Sequence, residues 1–167
     1  MKRPCKPSAP ATCPASSAAD ADVIAQIKVW LLDVSPMVWR RMLVPASCSL
    51  RELHGMIQVA MGWEGIHLYV FVLRAPRFGS AHGSASSPDV TLEALHLRQG
   101  ARFLYEYNRN IPWQHGIRLE TWLAPRPGLA FPACIGGSGA CPPEACSGPA
   151  EFMDTRDEGL MPDISRK

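Results

Sequence analysis

Three residue groups in this chain could carry chemistry. The first is a pair of imidazoles, His67 and His115, each at the start of a stretch that reads as a β-strand. Two histidines at strand ends can line one groove, where they bind a metal or exchange protons near neutral pH. The plainer reading is two hydrogen-bonded, partly buried rings. The second group is Cys134, Cys141 and Cys146, with six and four residues between them. With His115 they have the donor types for zinc. The spacing is not that of a paired C-x-x-C knuckle, and thiols also serve as small apolar core residues. The third is Trp39, Trp63 and Trp113, with Arg40 and Arg41 next to the first of them. Tryptophan and arginine make binding hot spots and stack on flat ligands. They also fill small cores, with arginine stems packed over them.

The elements that must position these residues follow from periodicity. Residues 1–21 are rich in Ala, Pro and Ser and hold almost no large apolar side chains, so a disordered tail is expected. Ile27, Val29 and Leu31 alternate with Gln26, Lys28 and Trp30, which is a strand pattern. Asp33-Val34-Ser35-Pro36 turns the chain, and residues 38–44 form a second strand ended by Pro45. Ser49-Leu50-Arg51-Glu52 has the spacing of a capping box, and Leu50, Leu53, Ile57 and Ala60 or Met61 recur at helical spacing. A helix over 49–61 follows, with Gly62 as the residue that stops it. Further strands are expected over 68–73, 102–107 and 115–123. A loop is expected over 75–89, a short helix over 91–97 and a last helical turn over 150–155.

The pattern predicts an α+β fold: a mostly antiparallel or mixed five-stranded sheet with one main helix on a face, for which a β-grasp-like arrangement is one topology. The domain would span 22–155, followed by a flexible tail over 156–167.

Charge is close to balanced, with 17 Lys and Arg against 15 Asp and Glu, so no wholesale nucleic-acid or membrane binding is implied. No apolar run reaches the ~20 residues of a membrane span, and no signal peptide is read. A cytoplasmic protein with reduced thiols is expected. Walker, Rossmann, HExxH and nucleophile-elbow motifs are missing.

Several stretches, in order, resemble the plasmid pRiA4b ORF-3-like family. They are residues 34–41 (VSPMVWRR), 43–45 (LVP), 50–63 around Leu53-His54 and Ala60-Met61-Gly62-Trp63, and His67-Leu68. Phe103-Leu104-Tyr105-Glu106-Tyr107, Trp113-Gln114-His115, Pro132-Ala133-Cys134 and residues 139–149 (GACPPEACSGP) follow. The resemblance runs from about Val23 to about Phe152. It implies an α+β domain of plasmids and mobile elements with no assigned reaction, some relatives being labelled resolvase-like. This chain departs from the pattern in three places. Tyr107-Asn108-Arg109-Asn110-Ile111 stands where relatives read Tyr-Asp-Phe-Gly-Asp. His67-Leu68-Tyr69 stands where they often read His-Leu-His. Relatives usually run several helical turns past the cysteine segment.

Three functions are compatible with these residues. One is a non-enzymatic binding or interaction domain, its protein or small-molecule ligand meeting Trp39, Arg40, Arg41, Trp63, His67, Trp113 and His115. Another is a zinc-dependent hydrolase or nuclease, degenerate in this copy. The third is a DNA-associated accessory protein of a transposon.

Overall fold

The computed structural model describes residues 22–80, 85–126 and 128–158. The expected N-terminal tail and the end of the C-terminal tail lie outside these residues. Seven strands form a single sheet in the order β4-β3-β5-β6-β1-β2-β7. They are β1 (Ile24–Leu31), β2 (Trp39–Pro45), β3 (Tyr69–Val72), β4 (Arg77–Gly79), β5 (Arg102–Tyr107), β6 (Trp113–Leu123) and β7 (Ala133–Ser138). Every pairing is antiparallel. Two helices accompany them, α1 (Leu50–Met61) and α2 (Pro149–Asp157).

This corrects the expected five-stranded, β-grasp-like sheet with one main helix: the described residues form seven strands and two short helices, and are mostly sheet. The added strands are those with weak local signals. β4 is a three-residue strand inside the expected loop, and it exists by pairing with β3. β7 reads Ala-Cys-Ile-Gly-Gly-Ser, without alternation, and gains its shape from the edge of β2. Gly137 is needed there, because an added Cβ would stand 2.9 Å from the Trp39 carbonyl oxygen. Residues 91–97 form turns rather than the expected helix.

The capped helix matches its sequence signature. The Ser49 hydroxyl accepts from the Glu52 amide at 3.1 Å, and the Glu52 carboxylate accepts from the Ser49 amide at 2.8 Å. Gly62 ends the helix in the left-handed region, at φ 72°. Leu50, Leu53, Ile57 and Met61 turn inward. They meet Ile27, Val29, Leu31, Phe71, Phe103, Ile117 and Leu119 from one face of the sheet in a continuous core. Phe152 of α2 is buried in the same core.

Candidate functional site

Between α1 and the sheet, the apolar core gives way to a cluster of aromatic and polar side chains. α1 contributes His54 and Gln58, and the residues just after it contribute Trp63. β3 supplies Tyr69, β5 Tyr105 and Tyr107, and β6 Trp113 and His115. The strands can do this because positions two apart along each strand face α1.

His54 lies flat on Tyr69, ring centroids 3.7 Å apart and planes 6° from parallel. Its Nδ1 is 2.6 Å from the Tyr105 hydroxyl, and Nε2 of Gln58 donates to the same oxygen at 2.8 Å. With Gln58 donating, the tyrosine proton goes to His54, which accepts as a neutral ring. Burial pulls the His54 pKa down to about 4. His115 is fully buried, and burial pulls its pKa to about 4 as well. Its Nδ1 is 3.0 Å from the Trp113 carbonyl. A carbonyl only accepts, so Nδ1 carries the proton and Nε2 is left as an acceptor.

That Nε2 has no partner. Neither do Nε1 of Trp113, Oε1 of Gln58 and the Tyr69 hydroxyl, all buried. Buried polar atoms are nearly always paired, so four around one cluster require an explanation. Trp63 ties the group together, 5.7 Å from Trp113, 5.5 Å from His115 and 5.4 Å from Tyr107 between centroids. Its Nε1 donates to the Pro142 carbonyl at 2.8 Å, which fastens the cysteine-rich loop over the cluster.

The rim is ionic. The Tyr107 hydroxyl donates to the Glu144 carboxylate, which also accepts from the Glu64 amide at 2.7 Å. Burial alone would raise the Glu144 carboxyl, but the Tyr107 and backbone hydrogen bonds, with His67 nearby, leave it below its usual value. Burial and the bond to Glu144 push the Tyr107 hydroxyl up to about 12. His67 packs edge-on against Tyr107 at 5.5 Å.

Of the residues singled out from sequence, Trp63, His67, Trp113 and His115 therefore share one region. Trp39 and Arg41 do not belong to it, since they lie on the opposite face of the sheet. There Arg41 binds the Glu120 carboxylate through two nitrogens, at 2.7 and 2.9 Å, with its guanidinium 5.2 Å from the Trp39 ring centroid. Arg40 turns to the other side and fastens β7. It donates to the carbonyls of Trp39, Ser138 and Gly139 and, at 2.9 Å, to Sγ of Cys141.

The cysteines do not converge with His115. Cys134 is exposed on β7. Cys141 has its sulfur 3.6 Å from that of Met61. Cys146 is buried beside Glu151 of α2. Cys134 and Cys141 share an open cleft of about 1000 Å³ between the end of α1 and β7. Among the described residues, no group of three or more His, Cys, Asp and Glu side chains is placed to hold a metal ion. Two of the residues expected to depart from the family pattern have plain places in the fold. Asn108 makes a left-handed turn between β5 and β6, at φ 64°, and Tyr69 stacks on His54.

His54, Gln58, Tyr69, Tyr105, Tyr107 and Glu144 were not among the candidate site residues expected from sequence. His54 and Gln58 carried one legible signal: they lie four apart, on the helix face next to Leu53 and Ile57.

Three comparisons bear on this arrangement. The "Uncharacterized protein y4hQ" of Sinorhizobium fredii (strain NBRC 101917 / NGR234) is 36% identical over 137 residues, which are 78% of this chain and 70% of that protein. The crystal structure of a protein of unknown function, MM3350 from Methanosarcina mazei Go1, superposes with a TM-score of 0.77 at 26% identity, covering 86% of this chain and 85% of the other. Residues 23–160 match the family described as plasmid pRiA4b ORF-3-like protein, and the chain belongs to that family.

Proposed function

We propose that the chain is a non-enzymatic binding domain that holds a small, neutral, flat ligand against the cluster under α1. One observation carries this reading: Nε2 of His115, Oε1 of Gln58 and Nε1 of Trp113 are buried in the aromatic group without partners. The two acceptors call for donors, and the indole calls for an acceptor. A ligand with two N–H or O–H groups and one carbonyl or ring nitrogen answers all three. The cluster is aromatic and both imidazoles are neutral, so nothing in it favours a charged guest.

Binding fits the site better than turnover. A general acid or base works best with a pKa near the operating pH, and burial draws both imidazoles well below that range. Burial also raises the thiols of Cys141 and Cys146, which disfavours a thiolate nucleophile. The free thiols of Cys48, Cys134, Cys141 and Cys146 support a cytoplasmic setting, and the family's plasmid name supports a tie to mobile elements.

The test uses the emission of Trp63 and Trp113 together with the melting temperature. A panel of neutral nucleobases and lactams should yield a compound that shifts both, and His115→Phe should abolish the shift while the far-ultraviolet spectrum is kept. If His115→Phe melts higher and no compound changes the emission of the unaltered protein, the cluster is packing alone.

A further inference from the structure

The sheet face turned away from α1 carries two rows of residues set by strand register. Arg102 stands opposite Arg118, Arg118 opposite Lys28, and Lys28 opposite Arg41. Paired positions on antiparallel strands send their side chains to the same face. The neighbours Phe103, Ile117, Leu119, Ile27, Val29 and Met42 are buried on the other side, so all four cations point outward. They form a line across β5, β6, β1 and β2, spanning about 14 Å at the usual strand spacing.

Like charges directly opposite each other destabilise a sheet. Glu120 offsets part of this through Arg41. Lys28, Arg102 and Arg118 make no ion pair among the described residues, and both arginines are exposed. A fold that carries such a row on an open face leaves it ready for an anion.

The second row lies two residues further along every strand, about 7 Å away. It runs Leu104, Gly116, Trp30, Trp39. The Trp30 indole lies over Gly116, where an added Cβ would stand 2.2 Å from Cζ2 of the ring. The glycine thus lets the indole lie down on the sheet. Nζ of Lys28 sits 4.7 Å from the Trp39 ring centroid, so the cation row leans against the aromatic row.

We infer that this face binds single-stranded nucleic acid, with phosphates along Arg102, Arg118, Lys28 and Arg41 and bases against Trp30 and Trp39. A basic track beside aromatic platforms is what unpaired strands require. An acidic peptide would use the cations but leave the indoles idle. A lipid surface would favour aromatic side chains that project, whereas Trp30 lies flat. This surface is on the opposite side of the sheet from the cluster under α1, so it stands or falls independently of that reading.

The test is fluorescence anisotropy of a labelled oligothymidylate of about 15 nucleotides with the full chain, titrated across salt. Binding should weaken with salt on a log–log slope of about −2 to −3, for three to four phosphates neutralised. The double variant Arg102→Glu/Arg118→Glu should bind at least about tenfold more weakly with a shallower slope. Its melting temperature should stay close to that of the unaltered chain, since one exposed pair of like charges replaces another. Trp39→Ala should weaken binding about tenfold with the slope kept. The inference is overturned if the oligonucleotide does not bind at low salt, or if the double variant binds it equally well. It is overturned equally if polyglutamate or phosphatidylglycerol vesicles compete on equal terms with the oligonucleotide.

Discussion

His54 and His115 approach the same cluster from opposite sides, one on α1 and the other on β6. Tyr69, Tyr105, Tyr107, Trp63 and Trp113 surround them, and the Glu144 carboxylate lies at the rim. In both rings burial lowers the pKa to about 4, whereas an unfolded imidazole titrates near 6.5. Below 6.5 the unfolded chain takes up protons that the folded chain refuses. The contribution of the neutral rings is therefore complete above the unfolded pKa and is lost as pH falls from 6.5 towards 4. For the fully buried His115 the loss is on the order of 3 kcal/mol. Urea unfolding between about pH 7 and pH 4 should show this decline, and His115→Phe should make it shallower, leaving the part due to His54. An equal decline in the variant would mean that His115 is not held neutral by burial.

At the level of the element, α1 is the piece whose ends the sequence specifies most fully. Ser49 and Glu52 satisfy two N-terminal amides reciprocally, and Gly62 stops the helix in a conformation that other residues adopt at a cost. Ser49→Ala should cost about 1 kcal/mol in urea unfolding, with no change in the aromatic cluster. An unchanged midpoint would show that the cap is carried by Glu52 alone. Strands β1 and β5 are equally legible, since their buried residues alternate with outward ones. β4 and β7 are not. Three residues give no period to β4, and the Gly136-Gly137 pair takes strand form only because β2 lies beside it and Arg40 bonds across to Ser138 and Gly139. The segment over 91–97 failed in the opposite sense. Its residues suit a helix, but its backbone is drawn to the loop before α1: Leu92 donates to the Cys48 carbonyl and Glu93 to that of Ala46.

At the scale of the whole molecule, α2 closes the fold. Phe152 is 3% exposed, and Arg156 donates to the Ser35 carbonyl in the turn between β1 and β2. Phe152→Ala should therefore destabilise the protein by about 3–5 kcal/mol, measured by urea unfolding. A loss below about 1 kcal/mol would mean that α2 packs only loosely.

Local patterns alone determined much of this protein: the capped helix, the first two strands and the family all follow from residues close together in the chain. That Trp63, His67, Trp113 and His115 belong to one region was also an expectation from sequence. Their partners were not, because Tyr69, Tyr105 and Glu144 reach the cluster from segments far apart in sequence, and only strand order and the loop held by Trp63 bring them in. Which side of the sheet receives Trp39 and Arg41, and which cations stand shoulder to shoulder, depend on register. Shifting one strand by a single residue would send its side chains to the opposite face, so that decision belongs to the tertiary structure.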